Sequence, residues 1–458
     1  MKQIELSTAD AEGRRKWIYP LVVKGAWWLR RKVLAYGLIA WLLAAPWISI
    51  GSGPAVFFDL VHRKIHFLGL TFWVNETVIF LSFVLFLLSS VLVLTAVLGR
   101  VFCGWACPQT VFMEFVFRPI ERFLEGMGAN QKNFYATPFH ERFPHWLAKW
   151  SIFLVIALVL GNTLVAYLFG TNRLLEMMAE GPSSNWGPFV TMLIASGIIL
   201  FQFGWFREQV CLFVCPYGRL QSVLLDRDSL IVAYDKNRGE PRGKAGKTSG
   251  DCVDCKMCVN VCPTGIDIRN GLQMECVHCT LCVDACDSIM DKLGRARGLI
   301  RYQTEAEVEG AKRRVFRPRM FVYSFLVLIF SGLVIGLTAT RKEFHATVHR
   351  ESGRDIFDIG QDRLVSNPVR IHFSNYSLQE KVIHFQNPDP TDLQIVVPQG
   401  EMKIPAGEKL TVHLLLKLPP SHFHESFGLK EVMFEAADQQ GMSRNLKIRM
   451  VGPAGSAP

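Results

Sequence analysis

The twelve cysteines of the chain fall into four spaced motifs, and none lies outside them. Two motifs have the spacing C-x-x-C-x-x-C-x-x-x-C, and their members are Cys252, Cys255, Cys258 and Cys262, then Cys276, Cys279, Cys282 and Cys286. The other two have the spacing C-x-x-x-C-P, and their members are Cys103 and Cys107, then Cys211 and Cys215. Cysteines grouped at short, regular spacings are typical of metal ligands and redox centres. The motifs therefore predict a chain that folds around such centres.

The two long motifs have the spacing of bacterial ferredoxins, in which three cysteines of a run hold one cluster and the fourth holds the other. We therefore expect two 4Fe–4S clusters with crossed ligands. The predicted sets are Cys252, Cys255, Cys258 and Cys286 for the first cluster, and Cys262, Cys276, Cys279 and Cys282 for the second. Zinc at C-x-x-C pairs is the alternative, and two complete ferredoxin runs argue against it. His278 lies inside the second run and is expected to tune its cluster without ligating it.

Five apolar segments are long enough to cross a membrane as helices, which takes about 20 residues. They are Val33–Ile50, Thr77–Leu98, Trp150–Gly170, Pro188–Phe206 and Met320–Ala339. None of them contains a charged residue, whereas a helix of a soluble protein would show a polar stripe. In keeping with these segments, 50% of all residues are hydrophobic. The chain is therefore predicted to be a multi-pass membrane protein that contacts lipid.

Basic residues at alternate ends of these segments predict the orientation by the positive-inside rule. A basic stretch from Arg14 to Lys32 precedes the first segment, Arg100 follows the second and Arg207 follows the fourth. The N-terminus and all cysteines are then cytoplasmic, and the chain beyond Arg341 is periplasmic, across a bacterial inner membrane. The tail has no cysteine, and free thiols belong in a reducing compartment, which agrees. The net charge of +10 is assigned to membrane orientation, not to nucleic-acid binding.

The two short motifs each follow a pair of apolar segments, which indicates a weak internal repeat. On one helix, residues four apart share a face, so both sulfurs of a pair would lie one turn apart. Each pair alone suits a soft ion such as Cu(I) or a redox-active dithiol. Together, Cys103, Cys107, Cys211 and Cys215 would form a four-thiol site for copper, for a further cluster or for no permanent ligand. Structural cysteines at helix ends are the alternative, and a meeting across a homodimer is equally open.

From about residue 341 onward, short alternating apolar runs are separated by turn signals such as Asn387-Pro388. This pattern predicts a small sandwich of β-strands of the immunoglobulin type. The predicted fold is thus a five-span α-helical membrane protein with an inserted ferredoxin-like domain and an immunoglobulin-like β domain. Its predicted domains are a cytoplasmic segment 1–32, a four-span membrane domain 33–225, a cytoplasmic two-cluster domain 226–312, a fifth span 313–340 and a periplasmic β domain 341–458.

Five features occur in a fixed order along nearly the whole chain. They are the motifs Cys103-Gly-Trp-Ala-Cys107-Pro and Cys211-Leu-Phe-Val-Cys215-Pro-Tyr-Gly-Arg, the paired ferredoxin runs, a fifth span and a cysteine-free β tail. In this order they resemble the cytochrome c oxidase accessory proteins of the CcoG/FixG/RdxA family. The resemblance implies reduction of Cu(II) to Cu(I) for assembly of a cbb-type oxidase, with copper near the C-x-x-x-C pairs. It also implies an electron donor, and oxidase subunits or copper-delivery proteins as partners.

Two functions of other classes remain open at this point. Quinol-dehydrogenase-type polyferredoxins share each motif singly, and such a protein would pass electrons outward to a periplasmic reductase. A non-catalytic assembly scaffold would use its clusters only for stability. The first predicts dependence on quinone, and the second predicts that Cys258→Ser or Cys282→Ser acts only through protein abundance.

Overall fold

The computed structural model describes most of the chain. The described residues are 14–50, 53–59, 64–73, 77–243, 250–340, 344–350, 357–360, 362–376, 380–386, 392–397, 402–405, 408–426, 428–438 and 443–453. The chain divides into two compact units. The first unit comprises residues 1–48, 55–65 and 72–335, and the second comprises 49–54, 66–71 and 336–458.

Helices dominate the first unit. The α-helices are Ala26–Ala44, Thr77–Leu98, Val101–Trp105, Pro108–Phe112, Arg118–Glu125, Ala129–Ala136, Phe139–Phe169, Thr171–Glu180, Trp186–Phe201, Pro216–Leu224, Lys236–Gly239, Met257–Asn260, Leu281–Lys292, Glu305–Val308 and Pro318–Ala339. Three π-helical segments, Met113–Phe117, Gln202–Phe206 and Val210–Val214, and a 3-10 turn, Ile268–Asn270, complete the set. π-Helical turns inside longer helices are frequent at functional sites, and here they lie close to both C-x-x-x-C pairs in the sequence.

Among the described residues, four helices are long and apolar enough to cross a membrane. They are Val78–Leu98, Phe139–Phe169, Trp186–Phe206 and Pro318–Ala339. Each overlaps one of the predicted segments. In the apolar stretch of the last helix, only 6% of the residues are buried within the protein. The exposed side chains therefore need an apolar surrounding such as lipid. These helices fit a membrane protein, and the five-span topology and its orientation stay predictions.

The first predicted span differs from the helix that forms there. The helix covers Ala26–Ala44, whereas the apolar run Val33–Ile50 predicts a later start and end. Pro46 explains the early end, because proline has no N–H to donate to the carbonyl four residues before it. That carbonyl belongs to Leu42, and it accepts a hydrogen bond of 2.8 Å from the hydroxyl of Tyr167 instead. The helix therefore starts inside the basic stretch and carries Arg30 and Arg31 in its first turns.

The cluster segment, residues 226–312, lies within the first unit. Its frame is an antiparallel pair of strands, Leu230–Tyr234 and Ile300–Thr304, with Leu230 opposite Thr304. The helices Met257–Asn260 and Leu281–Lys292 pack beside this pair around an apolar core that includes Val232, Met290 and six of the ferredoxin cysteines. Cysteine side chains are thus built into the core of this segment, where few atoms are open to water.

The second unit is rich in β-structure. One sheet has the strand order Gln394–Val396, Lys409–Leu418, Val365–Asn375, Phe344–Arg350, with Asp358–Ile359 also paired to Val365–Asn375. The other has the order Met402–Ile404, Lys381–Gln386, Leu429–Asp438, Ser443–Val451. Further short strands of the chain are Ser49–Ile50, Gly53–Pro54, Val56–Asp59, Lys64–Phe67 and Leu70–Trp73, and a 3-10 helix covers Pro420–Ser426.

The two main sheets of the second unit share one apolar core. Phe373 and Leu414 from the first sheet and Ile383 and Phe434 from the second belong to a single buried cluster. Along Lys409–Leu418, buried and less buried residues alternate, as they do in a strand with one face on a core. When Asp358–Ile359 and Met402–Ile404 are left out and the other strands of the two sheets are lettered A to G in chain order, the first sheet has the order A-B-E-D and the second C-F-G. This is the neighbour order of immunoglobulin constant-type sandwiches.

Candidate redox site

Two cavities in the cluster segment are lined by cysteines. The first cavity contains Cys252, Cys255, Cys258 and Cys286 in its lining, together with apolar residues such as Met290. Helix Met257–Asn260 positions Cys258, and helix Leu281–Lys292 positions Cys286, so one thiol comes from the second run. Cys255 is exposed, whereas Cys252 and Cys258 are buried. The first cavity therefore lies close to the protein surface.

The second cavity contains Cys262, Cys276, Cys279 and Cys282 in its lining, with Cys258 and His278 beside them. None of these four cysteines is exposed, in contrast to Cys255 of the first cavity, so this cavity is deeper than the first. Four residues flank the middle cysteines of the two runs in the left-handed conformation. They are Asp254 (φ 51°) and Lys256 (φ 56°) in the first run and His278 (φ 52°) and Thr280 (φ 63°) in the second. The two runs thus turn their backbones in the same way around their cavities.

The cysteines of each set line a cavity and are not arranged around one position for a single ion. Among the described residues, no group of three or more His, Cys, Asp or Glu side chains is arranged to hold a single metal ion. A zinc ion would need its four ligands within about 2.3 Å of one centre, while a cubane cluster spreads its ligands over four irons. Each cavity therefore fits a 4Fe–4S cluster better than zinc, and cysteine thiolates are the donors that such a cluster takes.

Burial keeps Cys258, Cys279 and Cys286 protonated in the absence of a metal centre. Desolvation raises the pKa of Cys258 and of Cys286 to about 12 and that of Cys279 to about 11. The neighbouring thiols of the same set raise the pKa of Cys286 further. A buried set of four thiols releases its protons when a positively charged centre binds, so binding and deprotonation are coupled here.

His278 is fully buried beside the second cavity. Its Nδ1 accepts a hydrogen bond of 3.1 Å from the backbone N–H of Arg100, and its Nε2 has no hydrogen-bond partner among the described residues. Burial, and after it the charge of Arg100, lowers the pKa of His278 to about 3. The imidazole is therefore neutral at physiological pH.

Each C-x-x-x-C pair straddles a break between two helical pieces, which corrects the expectation that both sulfurs lie on one helix. Cys103 is inside Val101–Trp105, but Cys107 (ψ 126°) is extended and precedes Pro108–Phe112. Cys211 and Cys215 (ψ 110°) repeat this arrangement before Pro216–Leu224. The reason is that a residue before proline is pushed out of the helical region. The amides of Cys107 and Cys215 both donate to the carbonyl five residues earlier, at 2.9 and 2.8 Å.

The two pairs come together within one chain. The ring of Phe102, next to Cys103, packs edge-on against that of Tyr217, two residues after Cys215, with centroids 6.0 Å apart. Burial, and after it the neighbouring thiols of Cys107, Cys103 and Cys215, raises the pKa of Cys211 to about 12. The pKa of Cys103 is likewise raised to about 12, mainly by burial. Its Sγ donates to Oε1 of the fully buried Gln221 at 3.1 Å. Cys103, Cys107, Cys211 and Cys215 are hereafter called the four-thiol site.

The four-thiol site adjoins the second cavity. Gly104, between Cys103 and Cys107, lies so close to the second run that an added Cβ would be 2.4 Å from the carbonyl oxygen of Val277 and 2.9 Å from Cα of Cys279. Cys103 also packs against the apolar cluster that contains Val277 and Cys279. Only a residue without a side chain allows this approach, so the glycine is required by the contact.

Hydrogen bonds stabilise the contact between the first C-x-x-x-C pair and the second ferredoxin run. Nε1 of Trp105 donates to the hydroxyl of Tyr302 at 3.1 Å, and that hydroxyl donates to the carbonyl oxygen of His278 at 2.9 Å. With the bond from Arg100 to the imidazole, His278 is thus tied from two sides to the segment that carries the first C-x-x-x-C pair.

A buried ion-pair network ties the second pair to the cluster segment. The guanidinium of Arg118 pairs with Glu114 and, at 3.5 Å, with Glu208, three residues before Cys211. It also donates to the carbonyl of Pro263, next to Cys262, at 3.1 Å. A buried charge is stable only when it is paired and fully hydrogen-bonded. The network therefore favours one packing of three segments: the helical segment with Glu114 and Arg118, the turn with Glu208, and the cluster segment at Pro263.

Comparisons with known proteins also indicate iron–sulfur binding in this part of the chain. Residues 206–305 match the family described as 4Fe-4S dicluster domain, and residues 65–125 match the family described as 4Fe-4S binding domain. Protein RdxB of Cereibacter sphaeroides is 34% identical over 397 residues, which cover 78% of this chain and 82% of RdxB. Nitrogen fixation protein FixG of Rhizobium meliloti is 32% identical over 433 residues, 83% of this chain and 79% of FixG. The chain belongs to the FixG/RdxA family. Protein RdxA of Cereibacter sphaeroides is 33% identical over 384 residues, which cover 76% of this chain and 80% of RdxA.

This FixG/RdxA-family chain is therefore a membrane iron–sulfur electron-transfer protein. The family resemblance seen in the sequence is confirmed, and so are iron–sulfur centres as its cofactors. Sequence reasoning overlooked Arg31 and Gln221, which lie beside the second cavity and the four-thiol site. Arg31 reads as one more basic residue before a span, and Gln221 as an ordinary helix residue. Only their near-complete burial, 1% and 0% exposed, sets them apart.

Proposed function

We propose that this FixG/RdxA-family protein reduces Cu(II) to Cu(I) for assembly of a cbb-type cytochrome c oxidase. The observation that carries the proposal is the position of the four-thiol site. Its two cysteine pairs lie near each other within one chain and next to the second cavity. Thiolates select Cu(I) over Cu(II). A thiol site in contact with a redox centre is therefore placed to accept Cu(II), supply one electron and hold the product.

The two cavities would hold the clusters with crossed ligands. Cys252, Cys255, Cys258 and Cys286 would ligate the first, and Cys262, Cys276, Cys279 and Cys282 the second; these are the cysteines that line the respective cavities. When bound, each cluster accepts and releases one electron at a time, which matches the one-electron reduction of Cu(II).

The burial of the thiols suggests a direction for the electrons. Cys255 is exposed, so a donor protein can approach the first cavity from the cytoplasmic solution. The second cavity is deeper and contacts Gly104 of the first C-x-x-x-C pair. We therefore propose the order donor, first cluster, second cluster, four-thiol site.

A redox-active dithiol at the four-thiol site is disfavoured. Thiol–disulfide exchange requires the thiolate, and burial raises the pKa of Cys103 and Cys211 to about 12. A bound cation reverses this effect, because it stabilises the thiolate form directly. The site is accordingly proposed to hold metal, with copper as the substrate, while a further cluster stays the alternative. Because no three of its thiols are arranged around one point, the thiols would have to close around copper as it binds.

The predicted orientation gives the remaining parts of the protein their roles. The N-terminus and the cluster segment would face the cytoplasm, and the β-rich unit the periplasm. This unit, with its immunoglobulin-type strand order, would dock oxidase subunits or a copper-delivery protein.

A quinol-oxidising conduit is the second candidate, because one cavity suits an apolar ligand. The cavity has a volume of about 250 Å³, and its lining includes Asn162, Leu174, Met178 and Phe189. It lies at the N-terminal end of helix Trp186–Phe206, whereas Cys211 follows the C-terminal end. A helix of this length separates its ends by roughly 30 Å. This separation favours copper reduction over a direct quinol reaction at the thiols.

Anaerobic turnover assays test the proposal. Purified, cluster-replete protein with an artificial reductant should convert Cu(II) to Cu(I), trapped by a Cu(I) chelator. The double variant Cys103→Ser/Cys211→Ser should keep its ferredoxin iron but lose most of the activity. Met178→Trp, which fills the apolar cavity at an exposed position, serves as the matched control and should leave the rate unchanged. Protein that binds Cu(II) but never yields Cu(I) would refute the proposal. Loss of activity only in Met178→Trp or on quinone depletion would favour the conduit.

A further inference from the structure

Three side chains beside the second cavity carry buried nitrogen atoms without an acceptor among the described residues. The atoms are Nη1 and Nη2 of Arg31, Nε of Arg100 and Nε2 of His278. Arg31 is 1% exposed, Arg100 5% and His278 0%. A buried donor that lacks an acceptor is costly. Four such donors on three side chains near the second cavity therefore indicate an acceptor that carries negative charge, and a cluster with thiolate ligands is one.

The tautomer of His278 is fixed by its neighbour. Because the backbone N–H of Arg100 donates to Nδ1, that nitrogen carries no proton, and the proton of the neutral ring is on Nε2. Nε2 is thus a donor, and His278 forms part of the wall of the second cavity. The imidazole is placed to donate to a sulfur of the second cluster.

Arg31 reaches the same place from the first helix. The carboxylate of Asp284, on the helix between Cys282 and Cys286, accepts from the N–H groups of Trp27 at 3.2 Å and Trp28 at 2.7 Å. It thus caps helix Ala26–Ala44 and fixes the helix start against the cluster segment. One turn further, Nε of Arg31 donates to the carbonyl of Gly104 at 3.0 Å. The other two guanidinium nitrogens of Arg31 have no hydrogen-bond acceptor among the described residues. The guanidinium lies over the ring of Phe115, and its charge acts on the thiol of Cys279, which lines the second cavity.

Among the described residues, no side chain that lines the first cavity has a buried nitrogen without an acceptor. Its arginine, Arg269, is engaged by two carboxylates, with Nη1 at 2.5 Å from Asp254 and Nη2 at 2.6 Å from Asp267. Lys256, the other cation in this lining, is exposed, so water screens its charge. The two cavities therefore differ in their unpaired buried donors, which lie beside the second.

We infer that the second cluster has the higher reduction potential of the two, and that Arg31 and His278 set it. This inference rests on the proposed clusters. Reduction adds negative charge, which hydrogen-bond donors and cations near the sulfurs stabilise. The chain's own residues thus make transfer from the first cavity to the second favourable. Arg31 and His278 are positioning residues of this electron path, which joins the membrane helices to the cluster segment.

EPR-monitored redox titration of the full-length protein tests this inference. Cys255→Ala and Cys279→Ala each alter one signal and so assign the signals to the first and second cluster. In the wild type, the signal assigned to the second cluster should have the higher potential. His278→Leu and Arg31→Gln should each lower that potential and leave the other unchanged. His278→Gln, which keeps an N–H donor, should retain part of the effect.

Arg30→Gln is the matched control, because it removes the same charge from the neighbouring, exposed position of the same helix. It should move neither potential. The inference is overturned if both clusters are present by iron and sulfide analysis and the second has a potential equal to or below the first. It is overturned as well if Arg31→Gln and His278→Leu shift both signals alike or neither. Should His278→Leu lose its cluster, Arg31→Gln and the wild-type order still decide. Wild-type protein without iron and sulfide would overturn the cluster assignment itself.

Discussion

The backbone N–H of Arg100 donates a hydrogen bond of 3.1 Å to Nδ1 of His278. Arg100 lies two residues after the apolar helix Thr77–Leu98, and His278 stands between two cysteines of the second ferredoxin run. This bond joins the part of the chain that enters the membrane to the wall of the second cavity. Because both residues are buried, water does not compete for it. The membrane helices and the cluster segment are therefore one structural unit at this point.

Asp284→Ala should loosen the first helix from the cluster segment. The variant loses the carboxylate that caps Trp27 and Trp28, and the loss of a helix cap costs about 0.5–2 kcal/mol. The expected result is earlier loss of iron–sulfur absorbance on heating. Asp291→Ala, on the same helix but with an exposed carboxylate paired to Arg297, should change the midpoint little. Equal midpoints for both variants would contradict the capping role.

Gly104→Ala should separate the four-thiol site from the second cavity. The new methyl group would lie 2.4 Å from the carbonyl oxygen of Val277, and backbone atoms must shift to admit it. Overpacking of this kind costs about 1–3 kcal/mol. We expect less iron per chain and slower Cu(II) reduction. Gly197→Ala, where no atom lies within 4 Å of the added Cβ, is the control and should behave as the wild type.

Alkylation should follow the burial of the thiols. In cluster-free protein, the exposed Cys255 should react with iodoacetamide first, and Cys103 and Cys211 should resist at neutral pH. Burial raises the pKa of both resistant thiols to about 12, and only the thiolate reacts. Their rates should therefore rise about tenfold per pH unit up to pH 11 or so, which mass spectrometry at several pH values measures. Fast labelling of Cys103 at pH 7 would show that the site is open to water.

Lys381→Met should destabilise the β-rich unit. Lys381 and Asp438 form a buried ion pair at 2.8 Å, with side chains 1% and 2% exposed. Removal of one partner from a buried pair costs about 3–5 kcal/mol, because the other charge stays buried. Hydrogen exchange in the full chain should show faster exchange in Lys381–Gln386 and Leu429–Asp438. The double variant Lys381→Met/Asp438→Leu should recover much of the protection, and failure to do so would point to other roles of the two residues.

The cysteine grouping and the apolar helices could be predicted from the sequence, because both depend on local spacing. Each ferredoxin run places three thiols within seven residues, and only Cys262 and Cys286 must cross to the other cavity. The cavity linings contain the same groups. The ligand sets themselves stay predictions until the clusters are measured.

Other features depend on contacts that no local pattern contains. Proline after Cys107 and Cys215 was visible in the sequence, but its effect on the preceding residue outweighs the helical spacing of the pair. The first helix begins before its apolar run and ends early, since Pro46 interrupts the hydrogen bonds. Arg31 is one of the seven basic residues of the stretch from Arg14 to Lys32, and its burial beside Gly104 follows only from the docking through Asp284.

Stoichiometric reduction of copper tests the central claim most directly. Protein reduced under anaerobic conditions and freed of excess reductant is mixed with Cu(II), and EPR follows the reduced clusters and Cu(II) together. We predict that both signals disappear at the same rate, with one Cu(I) formed for each electron lost by the clusters. In Cys103→Ser/Cys211→Ser both signals should persist. A wild-type sample in which reduced clusters and Cu(II) remain side by side would contradict the account.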